Sequence, residues 1–246
     1  YLLTVLPAPM VTSVTTDLEF PRYTNIPPRK GIEGGNVEAI EGTMVTVHAT
    51  TNEPARQGTI TLTTGDLAPM KVSDEDAHQL TGVFKVTKSG TYTINFRTTG
   101  NQLNPNPVVY SIDAIGDRAP EAKFLIPDAP NVKVPANVKI DLVMAGTDDH
   151  GFKDATLRVN LENDSLVSKN VLDGVPPAPQ FKQTESLDLA KLRVKPGQKL
   201  QYWLTVRDNY EPTAHSVQTS PQFIEIGEPV DDEERQEIDK QRKEER

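Results

Sequence analysis

The sequence predicts an all-β protein of two tandem β-sandwich domains followed by a short charged helix. Short Val- and Thr-rich runs alternate between apolar and polar residues, and proline, glycine or aspartate bounds many of them. About seven such runs fall in each stretch of roughly 110 residues, a spacing typical of immunoglobulin-like sandwiches. From Pro229 the composition changes to acidic and basic residues. We therefore predict domains over 1–116 and 117–228, with a helical tail over 229–246.

The composition excludes several functions. The chain has 246 residues, 36% of them apolar, a single Trp and no Cys, and its net charge is −9. This length suits two ordinary domains. An acidic chain lacks the basic face that nucleic acid requires, and the absence of Cys excludes disulfides, thiolate zinc sites and a Cys nucleophile. Because the chain begins at Tyr1 and has no run of about 18 apolar residues, we expect a piece of a longer protein.

In the first domain, alternation and turn residues define the strands. Lys88-Ser89-Gly90 lies between two strand-like runs and predicts a hairpin turn. The polar stretch 64–81 predicts turns, and the Arg29-Lys30 pair predicts a solvated turn. We predict strands over 1–6, 10–19, 37–40, 43–49, 83–86, 92–96 and 108–115, with a further strand through Ile60 and Leu62.

The second domain shows the same pattern. We predict its strands over 122–126, 138–144, 155–161, 181–189, 199–206 and 216–226. The tail from Asp231 has acids in its first turn and bases later, which favours a helix capped by Asp231 or Asp232. Ile238 is its one apolar residue after Val230. We therefore expect a solvated helix, a frayed end or the start of a longer coiled coil.

Two acidic turns are the best candidate site. The strand 138–145 leads into Thr147-Asp148-Asp149-His150-Gly151, and the strand 200–206 leads into Arg207-Asp208-Asn209. If these are the second and sixth strands of a sandwich, both turns lie at the same end, beside the linker. Calcium takes six to eight oxygen ligands. The sequence predicts a calcium site whose ligands come from Asp117, Glu121, Asp148, Asp149, Asp208 and Asn209. The alternative is that these residues only form turns.

The sequence contains no catalytic constellation, so we expect no enzyme. It lacks a Gly-x-Ser-x-Gly elbow, a phosphate loop, a dinucleotide fingerprint and a His-Glu-x-x-His motif. The histidines fit the surface: His48 at a strand rim, and His78, His150 and His215 in solvated loops. Trp203 lies on the outward face of its strand, where an aromatic ring either stacks on a sugar or is covered by a neighbouring segment.

The acidic turns also resemble those of cadherin-like repeats. The similar stretches are 145–151, 206–209 and the strand 223–226, together with the linker 112–120 ending at Pro120. The linker lacks the full Asp-x-Asn-Asp-Asn run of such repeats.

A second resemblance covers nearly the whole chain. Phe20-Pro21-Arg22-Tyr23-Thr24, Glu33-Gly34-Gly35-Asn36-Val37, Lys88-Ser89-Gly90-Thr91-Tyr92, Asp117-Arg118-Ala119-Pro120-Glu121 and Thr147-Asp148-Asp149-His150-Gly151-Phe152 carry it. They resemble the extracytoplasmic region of large bacterial membrane-anchored proteins of unknown function. The resemblance implies a periplasmic or cell-surface location, tethered through segments outside this chain.

We therefore expect a non-catalytic extracytoplasmic module that acts as a spacer or binds a protein or cell-envelope partner. The alternative is a carbohydrate- or peptide-binding accessory module around Trp203 and the acidic loops. Neither hypothesis includes nucleic acid, a direct membrane contact or a cofactor other than calcium.

Overall fold

The computed structural model describes residues 7–162 and 164–244 and confirms the all-β fold. The chain divides into two compact units, Tyr1–Asp117 and Arg118–Arg246. The predicted division after residue 116 lies one residue before this boundary, and the tail groups with the second unit. The strand predicted over 1–6 lies outside the described residues. Neither described helix is long and apolar enough to cross a bilayer.

The strands of the first unit form one continuous sheet in the order β2-β1-β4-β7-β6-β5-β8-β9-β3. Its strands are β1 (Val11–Glu19), β2 (Arg29–Glu33), β3 (Val37–Ile40), β4 (Met44–Thr51), β5 (Ala55–Leu62), β6 (Leu67–Val72), β7 (Gln79–Lys85), β8 (Gly90–Thr98) and β9 (Val109–Ile115). A 3-10 turn covers Arg22–Thr24. Alternating residues of these strands, such as Val45, Val47, Ile60, Ile94 and Phe96, form the core.

Strand β6 joins the two faces of this sandwich. Its first half pairs with β5 and its second half pairs with β7. At the switch, Met70 stands between Gly58 and Gly82. A Cβ on Gly82 would lie 2.8 Å from the Met70 side chain, and one on Gly58 would lie 3.1 Å from it. The glycines therefore make room for Met70 where the sheet bends over the core.

The predicted hairpin at Lys88-Ser89-Gly90 is wrong. Strand β7 pairs with β4 and β6, whereas β8 pairs with β5 and β9. The segment between them crosses from one face of the sandwich to the other, and Val86 is buried on the way. Period-two alternation is the same for a hairpin and for a crossover, so the sequence did not distinguish them.

Two strands of the first unit were also mispredicted. Stretch 64–81 contains β6 and the start of β7 rather than turns alone, and Arg29-Lys30 lies in β2, paired with β1. Both strands bury few side chains: Met70 is the one buried residue of β6, and β2 has none. A strand without a buried face lacks the alternation that sequence analysis needs.

The second unit keeps two separate sheets. One has the order β10-β12-β15, and the other has the order β11-β18-β16-β13-β14, with β17 paired to β16. The strands are β10 (Glu121–Ile126), β11 (Asn131–Pro135), β12 (Lys139–Thr147), β13 (Phe152–Leu161), β14 (Asp164–Asn170), β15 (Gln180–Asp188), β16 (Lys199–Asp208), β17 (Ser216–Gln218) and β18 (Gln222–Gly227). Helix α1 (Leu189–Leu192) follows β15, capped by Asp188.

The strand predicted over 216–226 is divided into β17 and β18. Between them, Thr219 takes the place of a regularly paired strand residue. Its N–H donates to the Leu204 carbonyl at 2.9 Å, and its hydroxyl accepts from the Leu204 N–H at 3.0 Å. Pro221, which has no N–H, follows directly. Strands β11 and β14 and helix α1 were not predicted.

The charged tail forms helix α2 (Asp232–Glu244), capped as predicted by Asp231, which accepts from the Glu234 N–H at 2.9 Å. The helix is not purely solvated, and this corrects the sequence prediction. Arg242 donates to Asp141 of β12 at 2.7 Å, and their side chains are 15% and 3% exposed. Ser186 of β15 donates to the same Asp141 oxygen. An ion pair, and not an apolar stripe, therefore holds α2 to β12.

This ion pair predicts a stability effect. Arg242→Ala removes a cation from a buried carboxylate, and a hydrogen bond to a charged group contributes about 2 kcal/mol. We expect the free energy of unfolding of the second unit to fall by about that amount, measured by Trp203 fluorescence in urea. Arg235→Ala on the same helix is the control, since Arg235 pairs with the exposed Asp232 and such pairs contribute about 0–1 kcal/mol. Equal effects of the two variants would contradict the role of Arg242.

Candidate functional site

The acidic turns meet at one end of the second unit, as the sequence predicted. The first turn joins β12 to β13, and the second follows β16. Asn209 of the second turn donates to the backbone carbonyl of His150 in the first at 3.4 Å. Asp208 also contributes to the electrostatic environment of Asp148. We call Asp148, Asp149, His150, Asp208 and His215 the acidic end.

Asp208 organises the loop that follows β16. Its side chain is only 1% exposed. One carboxylate oxygen accepts from the backbone N–H groups of Tyr210 at 3.1 Å and His215 at 2.8 Å. The other oxygen lies 2.7 Å from His215 Nδ1. Because both oxygens bond to its own loop, Asp208 closes this loop in the way that short polar residues close turns.

Asp148 has a less favourable environment. One carboxylate oxygen accepts from the His150 N–H at 2.9 Å, whereas the other is buried and has no hydrogen-bond partner among the described residues. Burial raises the pKa of Asp148, and the negative charges of Asp149 and Asp208 raise it further. The ionised form of Asp148 therefore costs stability at neutral pH.

His150 and His215 were predicted to be solvated, but both side chains make specific contacts. The ring of His215 stacks on Tyr210 with 4.7 Å between ring centroids and 13° between planes. His150 Nε2 lies 3.9 Å from a carboxylate oxygen of Asp149, and most of its side chain is buried. Tyr210 was not among the predicted site residues, because a ring stack across a loop leaves no periodic pattern in the sequence.

Three other predicted site residues belong to segments outside the two turns. Glu121 is exposed at the start of β10, opposite Thr147. Asp117 is the last residue of the first unit. Trp203 is half-buried on β16, opposite Arg158 of β13. Its role in ligand binding stays a prediction.

The calcium site also stays a prediction. Calcium takes six to eight oxygen ligands, so backbone carbonyls and water would have to join the carboxylates of the acidic end.

Comparison with known proteins gives structural likeness alone. No family model and no curated protein matches the chain. The titin domains Z1Z2 in complex with telethonin are 13% identical, with 93% of this chain and 100% of that one covered and a TM-score of 0.39. An ICAM-5 D1–D4 ectodomain fragment is 12% identical, with 89% and 52% covered and a TM-score of 0.36. A DUF3823 family protein from Bacteroides uniformis is 14% identical, with 72% and 92% covered and a TM-score of 0.29. Values this low carry no argument about function.

The raised pKa of Asp148 predicts a pH effect. The unfolded chain ionises Asp148 near its ordinary pKa of 3.8, whereas the folded chain ionises it at higher pH. Stability is therefore lost as pH rises through this window, and the cost persists at neutral pH. Asp148→Asn keeps an oxygen for the His150 N–H and removes the charge. In chelator we expect it to raise the unfolding midpoint at pH 7, with a difference that disappears below about pH 3.8.

The same variant tests calcium. Binding to the folded state alone raises the midpoint, so the predicted site requires that calcium stabilise the unmodified chain and leave Asp148→Asn unchanged. Identical midpoints of the unmodified chain in millimolar calcium and in chelator would exclude the site.

Proposed function

We propose that this chain is a non-catalytic structural and protein-interaction module. Tandem immunoglobulin-like domains commonly serve as structural or interaction modules. The proposal rests on one observation, an uncharged outer face on the first unit.

The uncharged face is centred on one row across four strands. Leu67 of β6 pairs with Thr61 of β5, Thr61 pairs with Thr93 of β8, and Thr93 pairs with Val109 of β9. Residues that are opposite one another in a sheet point to the same face. Leu67 is 67% exposed and Val109 is 62% exposed, so this row presents two apolar side chains to solvent.

The rows on either side extend the face without charge. Their outward residues are Thr59, Pro69, Asn95, Thr63, Thr91 and Ser111. A quarter of the whole chain is charged, so a face of this size without charge is unusual for this chain. Interface centres are depleted in charged residues. The face therefore suits a protein partner whose contact surface is also uncharged at its centre.

Asn95 holds the centre of this face in place. Its amide donates to the hydroxyls of Thr61 and Thr93, each at 3.1 Å. A surface whose side chains are already fixed loses less conformational entropy when it binds. This arrangement favours recognition of a folded protein surface.

We also propose an extracytoplasmic location, tethered through segments outside this chain. The sequence resemblance to extracytoplasmic regions of bacterial membrane-anchored proteins supports it. Protease added to spheroplasts carrying the full-length protein tests it. Digestion of this region is the expected result, and full protection would place the region on the cytoplasmic side.

Substitution at the centre of the face tests the proposed function. Thr93→Arg places a charge in the uncharged row, and burying an unpaired charge strongly opposes binding. We expect Thr93→Arg to abolish capture of a partner from the cell-envelope fraction. Thr46→Arg on β4 is the control, because Thr46 is equally half-buried but lies in the middle of a strand outside this row. Equal capture by both variants would contradict the role of this face.

A further inference from the structure

Strand β15 leaves one edge open in the second unit. All nine of its residues pair with β12 on one side. On the other side, no described strand pairs with it, since β15 ends its sheet. Such an edge presents N–H and C=O groups that template pairing with a further strand.

The first unit shows what occupies this position. Strand β7 corresponds to β15. In the first unit β1 pairs with β4 and β4 pairs with β7, and in the second unit β10 pairs with β12 and β12 pairs with β15. In the first unit β6 covers the second edge of β7, with Met70, Lys71 and Val72 opposite Gly82, Thr81 and Leu80. An extended strand is therefore the natural occupant of this edge.

The second unit lacks an equivalent of this half of β6. Strand β14 pairs with β13 alone, and the segment that follows contains Pro176, Pro177 and Pro179, which cannot donate to a ladder. A cavity of about 460 Å³ lies between β14 and residues 183–185 of β15. Lys169 of β14 reaches across to Glu185 at 2.6 Å. The two sheets are thus connected here by side chains, without backbone pairing.

We infer that the occupant is β15 of a second copy, paired antiparallel about a two-fold axis at Thr184. This register uses all nine residues. It places Phe181 opposite Leu187, Lys182 opposite Ser186 and Gln183 opposite Glu185. Lys182 also lies diagonal to Asp188 of the second copy, at a distance that long side chains span. Apolar residues meet apolar residues, and no like charges stand directly opposite.

Other registers fit worse. An axis at Lys182 or Glu185 would set identical charges directly opposite each other, which is destabilising. An axis at Gln183 would place Phe181 opposite Glu185, and an axis at Ser186 would pair only the last part of the strand. Lys182, Thr184 and Ser186 are exposed, so the edge is accessible. The inference concerns a different surface from the uncharged face of the first unit and does not depend on it.

Disulfide trapping tests both the dimer and its register. The chain has no Cys, so Thr184→Cys introduces a single thiol at the two-fold axis. Residues opposite each other in antiparallel strands have Cα atoms about 4.5–5.5 Å apart, within disulfide range. Pairing raises the local thiol concentration to about the millimolar range. At micromolar protein we therefore expect Thr184→Cys to form dimers about tenfold or more faster than Lys182→Cys, whose thiol faces Ser186. Equal rates would overturn the register.

Sedimentation tests the association itself. We expect the unmodified chain to dimerise as its concentration rises. Thr184→Lys places two ammonium groups opposite each other at the two-fold axis, so this variant should stay monomeric with an unchanged circular dichroism spectrum. Ser216→Lys on β17 is the matched control and should dimerise, as should Thr93→Arg. A monomeric unmodified chain up to about 1 mM, the limit of weak specific binding, would overturn the inference and leave the edge to an extended segment of another protein.

Discussion

Backbone hydrogen bonding at the strand edges is the constraint on which both units depend. A sandwich has two open sides, and each exposes edges that must be paired, covered or otherwise protected. On one side the two units share one feature, a short parallel strand that ends the second face. Strand β3 pairs parallel with β9, and β11 pairs parallel with β18. On the other side only the first unit is closed by a strand that pairs with both faces.

Buried polar side chains close the long loops in both units. In the first, Asn104 accepts from the Phe96 N–H at 2.8 Å and donates to the Ile94 carbonyl at 2.9 Å, so that it replaces a missing strand residue. In the second, Asp208 bonds to two backbone amides and to His215 in the corresponding connection. Buried polar groups need such partners. This similarity indicates that the main role of Asp208 is to stabilise its loop.

Period-two alternation was sufficient to predict the all-β class, the division into two units and the strands that carry the acidic turns. It also placed the two turns at one end, because that follows from the order of strands in a sandwich. It failed for β2, β6, β11 and β14, whose side chains bury little and therefore alternate weakly. The docking of α2 depends on Arg242 and Asp141, which are 101 residues apart and belong to no common pattern. The sequence also did not reveal that Asp208 bonds to its own loop, because turn formation and metal binding use the same residue types.

Amide hydrogen exchange tests most directly whether the two units differ in edge closure. Exchange protection reports the free energy of opening each backbone hydrogen bond. In dilute solution, the account predicts protected amides on both edges of β7 where β6 covers it. It predicts fast exchange for those amides of β15 that point away from β12, with protection that increases as the protein concentration rises. Strong protection of both edges of β15 in dilute solution, or protection that does not change with concentration, would contradict it.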